Sequence, residues 1–143
     1  VSSFQVTLTV EQNQWLLEGF ETALKNVKKA QGIASKAGLR VPELDSTVAE
    51  LEHSIQHTRF AVQAGHRTQD VLSLEVVRTL VAAMELSAVH DEYEANKLEG
   101  DAVPHVLIQA FLDRAKKKRD TFPGPAFQMV GMGKTLSEWG YAG

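Results

Sequence analysis

The side chains best equipped for chemistry in this 143-residue sequence form several clusters, and each lacks a member. His53 and His57 stand four apart, with Glu50 three before His53. On a helix all three point the same way, and histidines at i and i+4 can share one metal ion. A working metal site needs a third or fourth ligand held in place by outer hydrogen bonds. A di-iron bundle needs paired Glu-x-x-His motifs, and only Glu50-Leu51-Glu52-His53 fits. His53 and His57 are therefore the nearest approach to a metal site, and no metal or other cofactor is expected.

Gly131-Met132-Gly133-Lys134-Thr135 ends like a phosphate loop. That motif needs a further glycine where Gln128 stands, after a buried strand and before a helix. His90, Glu92 and Glu94 cluster at a polar helix end with no sign of the burial that tunes catalytic groups. No Gly-x-Ser-x-Gly elbow is present. No catalytic residues are assigned, and the chain is not expected to be an enzyme.

Charge is more suggestive. Arg114, Lys116, Lys117, Lys118 and Arg119 form a basic patch of five cations in six residues. Such a run can meet phosphate backbones, though cations at a helix C-terminus also complement its dipole. The net charge of −3 argues against a nucleic-acid coat. Between Glu85 and Asp101 lie six acids against one base, Lys97. The reading places this acidic segment and the basic patch at opposite ends of the molecule, which favours head-to-tail contacts between copies.

The elements that must carry these groups are mostly helical. Hydrophobic residues make up 43% and charged residues 23%, as in a globular domain rather than a disordered chain. The absence of cysteine removes disulfide scaffolds, cysteine zinc fingers, iron–sulfur sites and thiol nucleophiles. No apolar run is long enough to span a bilayer, and Val1-Ser2-Ser3-Phe4 does not read as a signal segment. A cytoplasmic protein, or one assembled in a particle, is expected.

Phe4, Val6, Leu8 and Val10 alternate with polar residues and predict a strand, with Ala126–Val130 as its candidate partner. Thr9 and Gln12 suit a capping box for a first helix that ends near Gly38. Leu44, Val48, Leu51, Ile55, Thr58 and Val62 form the seam of a second, from Pro42 or Asp45 to Ala64. Gly65–Thr68 reads as a short turn. A third helix, near Asp70 to Lys97, carries two apolar seams and should lie centrally. Asp101 is placed as the cap of a fourth, whose core face is Val103, Val106, Leu107, Ala110, Phe111 and Ala115.

Residues 120–143 hold Phe122, Phe127, Trp139 and Tyr141, four of the ten aromatics. A disordered tail is poor in aromatics, so this one should dock, on its own bundle or on a neighbour. The expected fold is all-α: a four-helix antiparallel bundle (11–119) with a short N-terminal β-strand (1–10) and an irregular, aromatic-rich C-terminal docking arm (120–143). The expected function is a non-enzymatic structural or assembly protein that oligomerises through its arms. Its interface would be Phe4, Val6, Leu8, Phe122, Phe127, Trp139 and Tyr141. Viral and phage particle subunits share this plan by architecture alone. The partner is then a second copy or another protein, with no membrane. The alternative is a small helical binding module or inhibitor acting on a different protein; a third reading is nucleic-acid binding through 114–119.

Overall fold

A computed structural model describes residues 3–141. Thr9 leaves the first strand in extended geometry, and its hydroxyl accepts from the Gln12 backbone N–H at 3.1 Å. The Gln12 side chain accepts the Thr9 N–H in return at 2.9 Å, completing the expected capping box. Helix α1 (Val10–Lys36) then runs until the chain turns at Gly38. Pro42 opens α2 (Pro42–Ala64), which Gly65 ends in the left-handed conformation. The α2 seam is buried at Val48, Leu51, Ile55 and Thr58, and it lies along α1.

The residues after Gly65 depart from expectation. Thr68–Ser73 is a strand, β2, rather than a turn and the start of a helix. It pairs antiparallel with β1 (Ser3–Leu8), from Ser3 opposite Ser73 to Leu8 opposite Thr68. The expected partner, Ala126–Val130, is not a strand. Pro125–Gln128 is instead a single helical turn, α5, because Gly124 and Pro125 favour a turn entry over an extended ladder.

Ser73 caps α3 (Leu74–Leu98), the helix buried on most sides. It packs on α1, on α4 (His105–Arg119) and on α6 (Met132–Glu138). The Asp101 cap is not formed; α4 starts after Pro104 with no side-chain cap. Where α1 crosses α3, Gly19 faces the Ala83 carbonyl so closely that a Cβ there would overlap the oxygen. Small residues (Ala23, Ala82, Ala83, Ser87 and Ala88) fill the same region. Among the described residues the fold is all-α in class with one two-stranded sheet. Among the long helices, α2 lies chiefly on α1 and α4 chiefly on α3, with the α1–α3 crossing between them.

Candidate functional site

The helices α3 and α4 fold back on each other at Gly100–Pro104, so the acidic and basic segments meet along the hairpin. The expected poles at opposite ends do not exist. Arg114 grips Asp91 with two bonds, Nε to Oδ2 at 3.0 Å and Nη2 to Oδ1 at 2.7 Å. The Lys118 Nζ lies 2.9 Å from Asp91 Oδ2. It also donates to the Ser87 carbonyl at 3.2 Å and pairs with Glu18 of α1 at 3.3 Å. Both charged partners are inside: Lys118 is 0% exposed and Asp91 1%. The Ser87 hydroxyl donates to Glu18, and the Trp15 ring lies beneath the ammonium at 5.9 Å. This network ties α1, α3 and α4 together with every buried polar side-chain atom among the described residues satisfied.

Arg119 closes the hairpin nearer the core, bonding Glu92 and Glu85 at 2.8–3.2 Å. Burial pushes the Asp91 carboxyl up, but the hydrogen bonds and charges of Arg114 and Lys118 more than reverse this and hold it below the usual range. The Arg119 hydrogen bond likewise lowers Glu92. Hydrogen bonds to Glu92 and Glu85 raise Arg119, and the Asp91 bond raises Arg114.

The basic patch is therefore not one surface. Lys118 is buried, a correction that follows from its place on the α4 face toward α3 and α1. Arg114 and Arg119 are committed to carboxylates. Among the described residues only Lys116 and Lys117 of the five are exposed without an ion pair.

The opposite surprise lies in the first half of α4. Its apolar residues were expected to face the core, yet Val106 is 75% exposed and Leu107 42%. Ala110 is exposed, Val103 and Phe111 are half-buried, and only Ala115 is fully inside. The reason is reach: α4 packs chiefly on α3. Val106, Leu107, Ala110 and Phe111 recur at steps of three and four, so they form one stripe beside the α3 contact, with half-buried Val103 just before the helix. The acidic residues Glu99 and Asp101 precede the stripe in the chain, and exposed Asp113 and Lys117 continue its face toward the helix C-terminus.

The two arms dock on their own chain. Phe4, Val6 and Leu8 are buried under the sheet, and Phe122 and Trp139 are buried as well. Phe127 and Tyr141 are half-buried against the same core. Phe127 stands between Phe4 and Phe122, each ring pair 5.5 Å apart. Trp139 meets Phe20 edge-on at 6.2 Å, and its carbonyl accepts from Asn26 at 2.5 Å. Arg78 donates to the Val130 carbonyl at 2.6 Å, pinning the middle of the arm. Desolvation in this seat raises the Tyr141 hydroxyl. Of the seven side chains expected at an interface with a neighbour, five are thus buried and two half-buried within this chain.

His53 and His57 are both exposed on the outer face of α2, and no third ligand joins them; among the described residues no three His, Asp or Glu gather as a metal site. Gly131 of the phosphate-loop-like run is the left-handed entry to α6, a helix that covers the core with Leu136. Among the described residues no helix is long and apolar enough to cross a membrane. Sequence reasoning missed Glu18, Ser87 and Trp15 as parts of the ionic network; the polar pairing of Glu18 with α4 has no local signature. No family model matches the chain, and neither a curated protein nor a solved structure matches it.

Proposed function

We propose that the chain is a non-enzymatic assembly protein whose contact surface is the exposed apolar stripe of α4. The four long helices act as one antiparallel body, and the two arms belong to that body rather than to its contacts. The observation that carries this reading is the stripe itself: Val106 and Leu107 stand in solvent on a hairpin whose root is locked by a buried ion network. A contiguous apolar stripe on a rigid element is the usual form of a protein interaction site. A subunit held in the cytoplasm, or built into a viral or phage particle, would use such a face; the particle comparison rests on architecture alone.

Light scattering on the full chain across concentration tests the reading. A defined mass above that of the monomer supports it. A monomer throughout rejects assembly and moves the reading to a binding module for a different protein. That second reading has its own support in the open edge of β2, where Val71 is 72% exposed beside unpaired backbone groups. Nucleic-acid binding is left with Lys116 and Lys117 as its cations, too few for a strong counterion-release term.

A further inference from the structure

We propose that the open edge of β2 takes a third strand from a different protein, an extended segment with a lysine or arginine and, two residues away, an aliphatic side chain. This surface is separate from the α4 stripe, and its occupant would be the partner of the binding-module reading. The sheet stops short of the apolar surface beneath it: Leu72 and Leu80 are only half-buried and Val76 is 43% exposed. β2 packs on β1 and α3 while α2 packs on α1, and a slot of about 80 Å³ lies between β2 and α2. Val6, Leu8 and Leu16 form its buried floor. Its exposed members, His57, Asp70 and Val76, mark the mouth, on the side of β2 away from β1. Along that side, beyond the ladder to β1, no backbone hydrogen bond involves residues 69–72 among the described residues. A row of free N–H and C=O groups is satisfied by another extended main chain. Asp70 selects which chain. It stands opposite buried Val6, so its side chain lies on the core face of the sheet, yet it is exposed. It has no ion pair among the described residues, His57 at the same rim included. An acid at the mouth of an apolar slot matches a side chain with an aliphatic stem and a cationic head. The slot has room for one small aliphatic group, against about 150 Å³ for a cavity that takes benzene. Residues two apart on a strand share a face, so one segment supplies both. Pairing with β2 of a second copy does not. With both core faces on one side, the two registers of greatest overlap set Asp70 opposite Asp70 or opposite Leu72, and neither brings it a cation. An inward-pointing charge on an edge strand is itself a guard against such self-pairing.

The probe is a labelled, end-blocked peptide, Thr-Val-Thr-Lys-Thr-Val-Thr, titrated with the full chain and read by fluorescence anisotropy. It should bind with a dissociation constant of about 1 mM or tighter. The same peptide with glutamate for lysine should bind about fivefold more weakly, and Asp70→Lys in the chain should reverse that order. Asp70 is exposed, so this variant should keep its melting curve; the peptide exchange needs no variant at all. Methylating alternate backbone nitrogens of the peptide separates strand pairing from adhesion. One alternating set faces β2 and should weaken binding by about a hundredfold, while the other should change it little. No binding at about 1 mM overturns the proposal. So does binding that ignores the charge exchange, or that both methylated sets weaken equally. A chain that self-associates with the amides of β2 protected from hydrogen exchange also overturns it, because a second copy then holds the edge. None of these results touches the α4 stripe, whose test is the mass of the chain alone: an oligomer that binds no peptide leaves assembly standing, and a monomer that binds it leaves the strand site standing.

Discussion

Replacing Asp91 by alanine tests the ion network most severely. The carboxylate is 1% exposed and holds two cations: Arg114, whose side chain is 46% exposed, and Lys118, which is 0% exposed. Arg114 can turn toward water when Asp91 is removed. Lys118 cannot, and it keeps only Glu18 at 3.3 Å and the Ser87 carbonyl at 3.2 Å. Leaving a buried charge short of its partner costs about 3–5 kcal/mol. The value should fall toward the lower end, near 3 kcal/mol, because Glu18 still neutralises part of the charge. Against a total stability of about 5–15 kcal/mol this is a large fraction.

Lys118→Met is the informative companion. It removes the trapped ammonium while Asp91 keeps its bidentate Arg114, so it should cost less, about 1–2 kcal/mol. Glu18→Ala should cost least, about 0.5–1 kcal/mol, since that carboxylate is 60% exposed. Urea titration followed by tryptophan fluorescence reads all three, as Trp15 and Trp139 are both buried. At about 2 kcal/mol per molar urea, the Asp91→Ala midpoint should drop by about 1.5 M. A cost for Asp91→Ala no greater than for Glu18→Ala would refute the claim that a desolvated charge cluster fixes α4 to the body.

Acid stability should carry the same signature. The folded-state Asp91 pKa is depressed, so its contribution is complete above the unfolded value of about 3.9 and is lost as pH falls through the folded one. The stability gap between wild type and Asp91→Asn should be constant near neutrality and close below about pH 4; a gap unchanged down to pH 3 contradicts the assignment. Gly19→Ala should destabilise by about 3 kcal/mol or more, reversing the usual helix-propensity gain, because the new Cβ meets the Ala83 backbone carbonyl and the helices must part. A neutral result in the same urea assay would mean a looser crossing. Truncation after residue 120 should abolish cooperative unfolding by circular dichroism, since it strips Phe122, Val130, Leu136 and Trp139 from the core at about 3–5 kcal/mol per large side chain. A folded 1–120 chain would show that the arm is dispensable.

Several elements were legible from local chemistry. The Thr9–Gln12 box, the α2 seam and the central place of α3 follow from spacing alone, because each is decided within a few turns of one helix. What escaped was decided between elements. β2 contains Gln69 and Asp70 and alternates poorly; it is a strand because β1 offers a ladder. Length along α4 separates the acidic and basic segments, but the turn at 100–104 folds them side by side. Glu85 and Arg119, like Asp91 and Arg114, are spaced about evenly about Ala102, and that mirror spacing was the available signal of a hairpin. The α4 stripe was visible as a pattern. Its exposure was not, because periodicity reports that a face is apolar and says nothing of what stands opposite.

The ring contact between Phe4 and Phe127 has a consequence for synthesis. Chain order makes the β1 residues Phe4, Val6 and Leu8 well before the side chains that complete their core, which extend to Trp139, 131 residues after Leu8. At about 5–20 residues per second the apolar strand waits about 7–26 s for its cover. β2 follows Leu8 by about 60 residues and can pair with the strand, but its three apolar side chains lack their full cover for the whole interval. The demand for holdase protection during translation is therefore set by the arm, which arrives after the helices it covers, more than by the helices between.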